Sequence, residues 1–148
     1  MPAVSPSVPT RPSPGRRRLA AALVAVLALP ALAGAPPAPD PDAVSVDAAR
    51  AEHAAGRAIL IDLREPDEHA RGVAPGARLL PTSQLPGRLS EIPADPSRPV
   101  LLVCHTQNRS RATLKALRER GGYAHVRYVA GGMSEWARRG LPLVKPGG

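Results

Sequence analysis

The sequence predicts an α/β domain of three layers, a small central parallel sheet flanked by helices on both faces. Three observations carry that expectation. After Val44, short apolar runs alternate with amphipathic stretches, the pattern of successive βαβ units. Two of those runs, "AILIDL" from Ala58 to Leu63 and "VLLV" from Val100 to Val103, are almost continuously apolar rather than alternating. Strands covered on both faces read that way. Finally, 148 residues suit one domain able to bury a core without staples.

The elements follow in order. Val44-Ser45-Val46 reads as a short first strand, and Asp47 is placed to cap a helix through about Ala55, stopped by Gly56. Ala58 to Leu63 is the buried central strand. "EPDEHARG", Glu65 to Gly72, predicts a short helix with Pro66 in its first turn and Gly72 as its stop. The turn "APGA" leads to a strand from Ala77 to Leu80. Thr82 to Leu89 is a weak helix interrupted by Pro86, and "EIPADPSRP" is loop. Then come the strand Val100 to Val103, a helix from about Ser110 to Arg120 stopped by Gly121-Gly122, the strand "HVRYV", and a last helix around Ser134 to Arg138. No internal repeat is visible, so residues 43–145 form one domain.

Residues 1–33 have the three parts of a secretory signal. A basic stretch ends in "GRRRL", an apolar stretch runs from Leu19 to Leu32, and Ala31-Leu32-Ala33 supplies a small-residue cleavage site before Gly34. The apolar stretch falls short of the ~20 residues a spanning helix needs. The expectation is an exported protein of the bacterial periplasm, free of the membrane once the leader is removed; an uncleaved anchor is the alternative. Residues 34–42, "GAPPAPDPD", are a Pro-rich, extended linker.

The formal charge is +8, but setting aside Arg11, Arg16, Arg17 and Arg18 of the leader leaves +4. Interspersed with Asp and Glu, that charge describes a solvated surface that attracts small anions. Phe is absent, and Tyr123, Tyr128 and Trp136 are the only aromatics, too few to stack bases. No nucleic acid is expected as a partner. The four histidines share no ligand spacing with the single cysteine, so no metal site is expected.

That cysteine, Cys104, sits where chemistry is favoured. The apolar strand ends on Val103, and Cys104-His105-Thr106-Gln107-Asn108-Arg109 must turn the chain into the helix that Ser110 opens. A tight strand-to-helix loop turns successive N–H groups inward as an anion nest, and the helix's positive end adds to it. Arg109 brings a full charge to the same place, although a cation there opposes the helix dipole, which suggests that it holds an anion. One thiol in an exported chain has no intramolecular disulfide partner and is a liability unless used.

Four features in this order, "LIDLREPDEHARG", "APGA", "VCHTQNRS" and "YVAGGMSEW", resemble the rhodanese family of sulfurtransferases over roughly residues 43–143. The resemblance implies a three-layer rhodanese-like fold and a double displacement without cofactors. Cys104 would take a sulfane sulfur from a small anion such as thiosulfate and pass it, as a persulfide, to a thiol or cyanide. Arg109 would be its catalytic partner, with His105, Thr106, Gln107, Asn108 and Ser110 binding substrate. Redox proteins are partners that such domains often have. Phosphatases on a related fold use a loop one residue longer, Cys-x5-Arg, to hold a tetrahedral phosphate, so phosphatase or arsenate reductase activity ranks below sulfur transfer. A non-catalytic binding module is the competing class.

The loop departs from the family's usual Cys-Arg-x-Gly-x-Arg pattern at two places. His105 replaces an arginine, and Gln107 stands where glycine is frequent, which predicts a strained backbone there or an altered loop. Val73 takes the place of a frequent histidine. Asp62 and Arg64, from the family's Asp-x-Arg, either brace the loop or cap the next helix. Trp136 is expected to be core.

Overall fold

The computed structural model describes residues 38–147; the proposed leader, 1–33, and the first part of the linker lie outside the described residues. The order is β1 (Ala43–Val44), α1 (Val46–Ala54), β2 (Ile59–Asp62), α2 (Pro66–His69), β3 (Arg78–Leu79), α3 (Leu85–Arg88), β4 (Val100–Val103), α4 (Asn108–Arg120), β5 (Val126–Val129) and α5 (Gly132–Arg138). The five strands form one sheet in the order β1-β5-β4-β2-β3, every pairing parallel. The α/β architecture is therefore as the apolar runs predict.

Because side chains alternate across a strand, β4 feeds both cores. Leu101 and Val103 pack with Val46, Ala49, Met133 and Trp136 on the side of α1 and α5. Val100 and Leu102 pack with Leu114 and Leu117 of α4 on the other, and Cys104, one step past the strand's end, continues that second face. The alternation thus delivers the thiol to the first turns of α4, buried to 1% exposure. Burying each of these large aliphatic side chains contributes roughly 1.5–3 kcal/mol, so β4 is a rigid support for its C-terminal end.

Several boundaries differ from the sequence-based expectation. Val46 belongs to α1, not β1: Ser45 is extended (ψ 154°) and its Oγ accepts from Ala48 N at 3.2 Å, which makes Ser45 rather than Asp47 the cap. Asp47 lies in the first turn, where its charge still complements the dipole. The stretch around Pro86 breaks into α3 between two 3-10 turns, Thr82–Gln84 and Leu89–Glu91. Both α4 and α5 begin two residues earlier than predicted. The end of the linker is pinned to the domain: Tyr128 Oη donates to Asp40 Oδ2 at 2.7 Å, and Arg118 pairs with Asp42 at 2.8 Å. Trp136 is core, as expected, its Nε1 donating to Pro142 O.

Candidate active site

Cys104 to Gln107 span the gap between β4 and α4. The direction of this loop is set from below by α5. Met133 N donates to Cys104 O and Ser134 N to His105 O, each at 2.8 Å. Thr106 O points to the same place: a Cβ on Gly132 would lie 2.4 Å from both Cys104 O and Thr106 O and 2.7 Å from His105 O. In a trans peptide each carbonyl is opposed by the next residue's N–H, and the described chain contains no cis bond. With three consecutive carbonyls gathered at the N-terminus of α5, the N–H groups of His105, Thr106 and Gln107 face away from it. The N–H groups of Asn108, Arg109 and Ser110 belong to the first turn of α4, where no intrahelical acceptor exists. All six donate to no acceptor among the described residues, the only such run at any strand–helix junction among them. This is a nest for a single anionic atom or small group.

Gln107 is not strained. Its φ of −171° is ordinary extended backbone, and no described residue other than glycine has a positive φ. Its side chain does what a glycine could not, Oε1 accepting from Gly131 N at 3.0 Å and so tying the loop to the start of α5. His105, Thr106 and Asn108 are exposed around the loop. Ser110 is fully buried, and its Oγ has no hydrogen-bond partner among the described residues.

Arg109 is at the loop's end, as expected, but its charge is engaged. Its two Nη atoms donate to the two carboxylate oxygens of Glu68 at 2.6 and 2.7 Å. The anion it holds in this structure is a side chain of α2. Glu68 also accepts from Glu65 N through Oε2 at 2.9 Å, closing a capping box at the start of α2. Chiefly through the Arg109 hydrogen bonds, and against the effect of burial, the Glu68 carboxyl is held at about 2. Arg109 is correspondingly pushed above its ordinary value, by Glu68 first and, more weakly, by the charges of Cys104 and Glu65. Glu68 escaped the sequence reading because nothing local marks it as more than a helix-start acid; the spacing Glu65-x-x-Glu68 signals the cap but not the partner 41 residues on.

Asp62 and Arg64 make no hydrogen bond to the loop among the described residues. They form a buried pair at 2.6 Å. Arg64 reaches on to Gly72 O at 2.9 Å and, weakly, Glu68 O at 3.4 Å, which fixes the C-terminal end of α2 and the turn after it. The pair therefore braces the helix that carries Glu68. Val73, in turn, is buried and pairs antiparallel with Val144.

The Glu68–Arg109 pair makes a prediction. Since the Glu68 carboxyl is lowered on folding, its stabilisation is complete above the ordinary value of 4.5 and is lost as pH falls from there towards about 2. Glu68→Gln should lower stability at neutral pH by about 1–2 kcal/mol, the pair being partly exposed. The gap in Tm between the variant and wild type should close as the pH is lowered below 4.5. A gap independent of pH would show that the carboxylate is not the stabilising species.

Comparison with known proteins places these features in context. A model of the rhodanese-like domain matches residues 45–139. A protein named "Sulfurtransferase" from Allochromatium vinosum is 42% identical over 90 residues, 61% of this chain and 81% of that relative. YqhL of Bacillus subtilis is 40% identical over 80 residues, and the chain spans 61% of its length. Among solved structures, a thiosulfate sulfurtransferase from Pseudomonas aeruginosa superposes with a TM-score of 0.61 at 25% identity, over 70% of this chain and 20% of that one. A rhodanese-related protein from Thermoplasma volcanium gives 0.60 at 24% identity, over 69% and 96%.

Proposed function

The chain belongs to the rhodanese-like domain family, and from that premise we propose that it transfers a sulfane sulfur through a persulfide on Cys104. The observation that carries this reading is the run of six unpartnered N–H groups from His105 to Ser110, directly after the thiol. A terminal persulfide sulfur bears a negative charge on one atom that carries no other substituent, which is what a small nest of donors suits. In the first half-reaction the Cys104 thiolate attacks the outer sulfur of an anion such as thiosulfate. The Sγ–S bond forms, the donor's S–S bond breaks, and sulfite leaves with the electron pair. In the second, a thiol or cyanide attacks the terminal sulfur and the pair returns to Sγ. Charge developing on the terminal sulfur meets donors already oriented, as in an oxyanion hole. No external oxidant is required.

Arg109, compensated by Glu68, acts in this reading less as a free cation than as a strut that fixes the loop's end against α2. The leader sequence at residues 1–33 supports a periplasmic setting for the reaction.

Intact-mass measurement after incubation with thiosulfate tests the reading. The expected product is the protein plus one sulfur atom, removed again by cyanide with release of thiocyanate. An unchanged mass across several sulfane donors would leave a non-catalytic anion-binding module, while turnover of an aryl phosphate or arsenate would replace sulfur transfer by the chemistry of the longer-loop relatives.

A further inference from the structure

Ser110 is the one residue of the nest that is fully buried, and its hydroxyl is engaged by nothing. Its exposure is 0%, and Oγ has no hydrogen-bond partner among the described residues. A buried hydroxyl without a partner costs free energy that an alanine of nearly the same volume would avoid, and alanine is also the better helix former. Packing alone does not account for a serine here.

Register gives the direction in which that hydroxyl faces. Along α4, Ser110, Leu114 and Leu117 are all buried, at spacings of four and three that make one stripe. Along β4, Val100 and Leu102 face the same cluster as Leu114 and Leu117, and Cys104 continues their row. The loop turns the chain back, so the stripe of α4 runs past that row in the opposite direction. Two strand residues advance about 6.6 Å and four helical residues about 6 Å, so the two rows keep step. The first member of the stripe, Ser110, then stands opposite the last member of the row, Cys104.

The two sulfur atoms of the proposed reaction need donors at different moments. Backbone N–H groups meet the terminal persulfide sulfur. Sγ itself is charged before loading, as the attacking thiolate, and on discharge, as the leaving one. A neutral thiol is a weak acceptor and a thiolate a strong one, so a hydroxyl opposite Sγ finds its partner only when that sulfur is charged.

We infer that Ser110 is a catalytic residue whose hydroxyl donates to the Cys104 thiolate, a narrower role than the substrate contact that the family resemblance implies. The inference rests on the sulfur-transfer reading and assigns the stabilisation of the leaving group within it. On discharge the acceptor bonds to the terminal sulfur, the Sγ–S bond breaks, and its electron pair comes to rest on Sγ, where the Ser110 O–H meets it. The proton stays on the serine oxygen.

Cys104 is the only cysteine of the chain, so ultraviolet thiolate absorbance reports on it alone. Ser110→Ala should lower the ratio of thiolate to thiol at a given pH about tenfold, the scale of one hydrogen bond to a charged group, while its Tm stays at or above that of wild type. Ser110→Thr, which keeps the hydroxyl, should recover part of the ratio.

Single-turnover kinetics separate this role from a structural one. At a pH high enough to ionise Cys104 in both proteins, loading from thiosulfate should be no slower in Ser110→Ala, because a thiolate without its donor is the stronger nucleophile. Discharge of the loaded protein to cyanide should be about tenfold slower, because the same thiolate is the poorer leaving group. Equal slowing of both halves, or a thiolate ratio unchanged by the substitution, would overturn the inference by making Ser110 structural. A ratio that depends on Ser110 in a protein that takes up no sulfur would sink the sulfur-transfer reading alone; full transfer with a ratio indifferent to Ser110 would sink this role alone.

Discussion

Cys104→Ser is expected to gain no sulfur from thiosulfate and to lose thiocyanate formation by about 10³-fold or more, the scale on which removal of a nucleophile acts. The hydroxyl is nearly isosteric, but it is not ionised at neutral pH and cannot form a persulfide. The nest of donors would remain without the atom they serve. Cys104 is also buried among Leu102, Leu114 and other apolar side chains, so a serine there carries a desolvation cost of roughly 1–3 kcal/mol to the extent that the nest does not take up its hydroxyl. Cys104→Ala controls for that cost: it should be as inactive as Cys104→Ser while folding at least as well. Residual thiocyanate production within tenfold of wild type by either variant, as a rough threshold, would remove Cys104 from the mechanism.

Gly132→Ala should damage the same site without changing any residue of the loop. The added methyl would lie within 2.7 Å of the carbonyls of Cys104, His105 and Thr106, which are backbone atoms and cannot swing aside as side chains do. The φ of 58° adds its own cost of about 1 kcal/mol or more for a residue with a Cβ. Either the loop is pushed off α5 or α5 unwinds. Loss of the Met133 N to Cys104 O and Ser134 N to His105 O bonds follows in both cases, and with it the alignment of the opposing N–H groups. We expect a stability loss of about 3 kcal/mol or more and near-complete loss of sulfur loading. Gly56→Ala is the matched control. Its φ is 71°, but nothing lies within 4 Å of the added Cβ, so only the conformational cost of about 1 kcal/mol should appear. Similar thermal shifts for the two variants would show that the carbonyl cluster is not what requires a glycine at 132.

What the sequence made legible was governed by short-range patterns. The buried strands declared themselves because β2 and β4 are covered on both faces, and the loop declared itself because a lone cysteine ends one of them. The cap of α1 was misplaced by two residues since Ser45 and Asp47 are both good caps, and only the packing of Val46 beneath α5 decides between them. The early start of α4 has a similar cause: Asn108 and Arg109 are polar and show no apolar period, so the hydrophobic pattern begins a half-turn after the helix does.

The site's supporting contacts were less legible, because they pair residues far apart in sequence. Glu68 reaches Arg109 across 41 positions, and Gln107 reaches Gly131 across 24. The sequence expectation treated Gln107 as a flaw in a glycine position. In the fold its amide oxygen replaces local freedom by a tie between loop and helix. Gly131-Gly132 carried a signal that was available: two glycines at a helix start serve no propensity, so some other chain must approach closely there.

The six unpartnered donors also bear on how long the protein lasts. A folded state with unmet hydrogen-bonding demand is less stable than the same state with an anion in place; a persulfide sulfur would stay bonded to Cys104 in the unfolded chain, so what it adds to stability would be the difference between its hydrogen bonds in the nest and in water. Sulfur loading and protein lifetime are then linked. On the proposed chemistry, the persulfide form would resist unfolding and proteolysis when donors are plentiful, and the chain would rest in its weaker form and be cleared sooner when they run short. The supply of sulfane sulfur would in this way set the abundance of the catalyst as well as its rate.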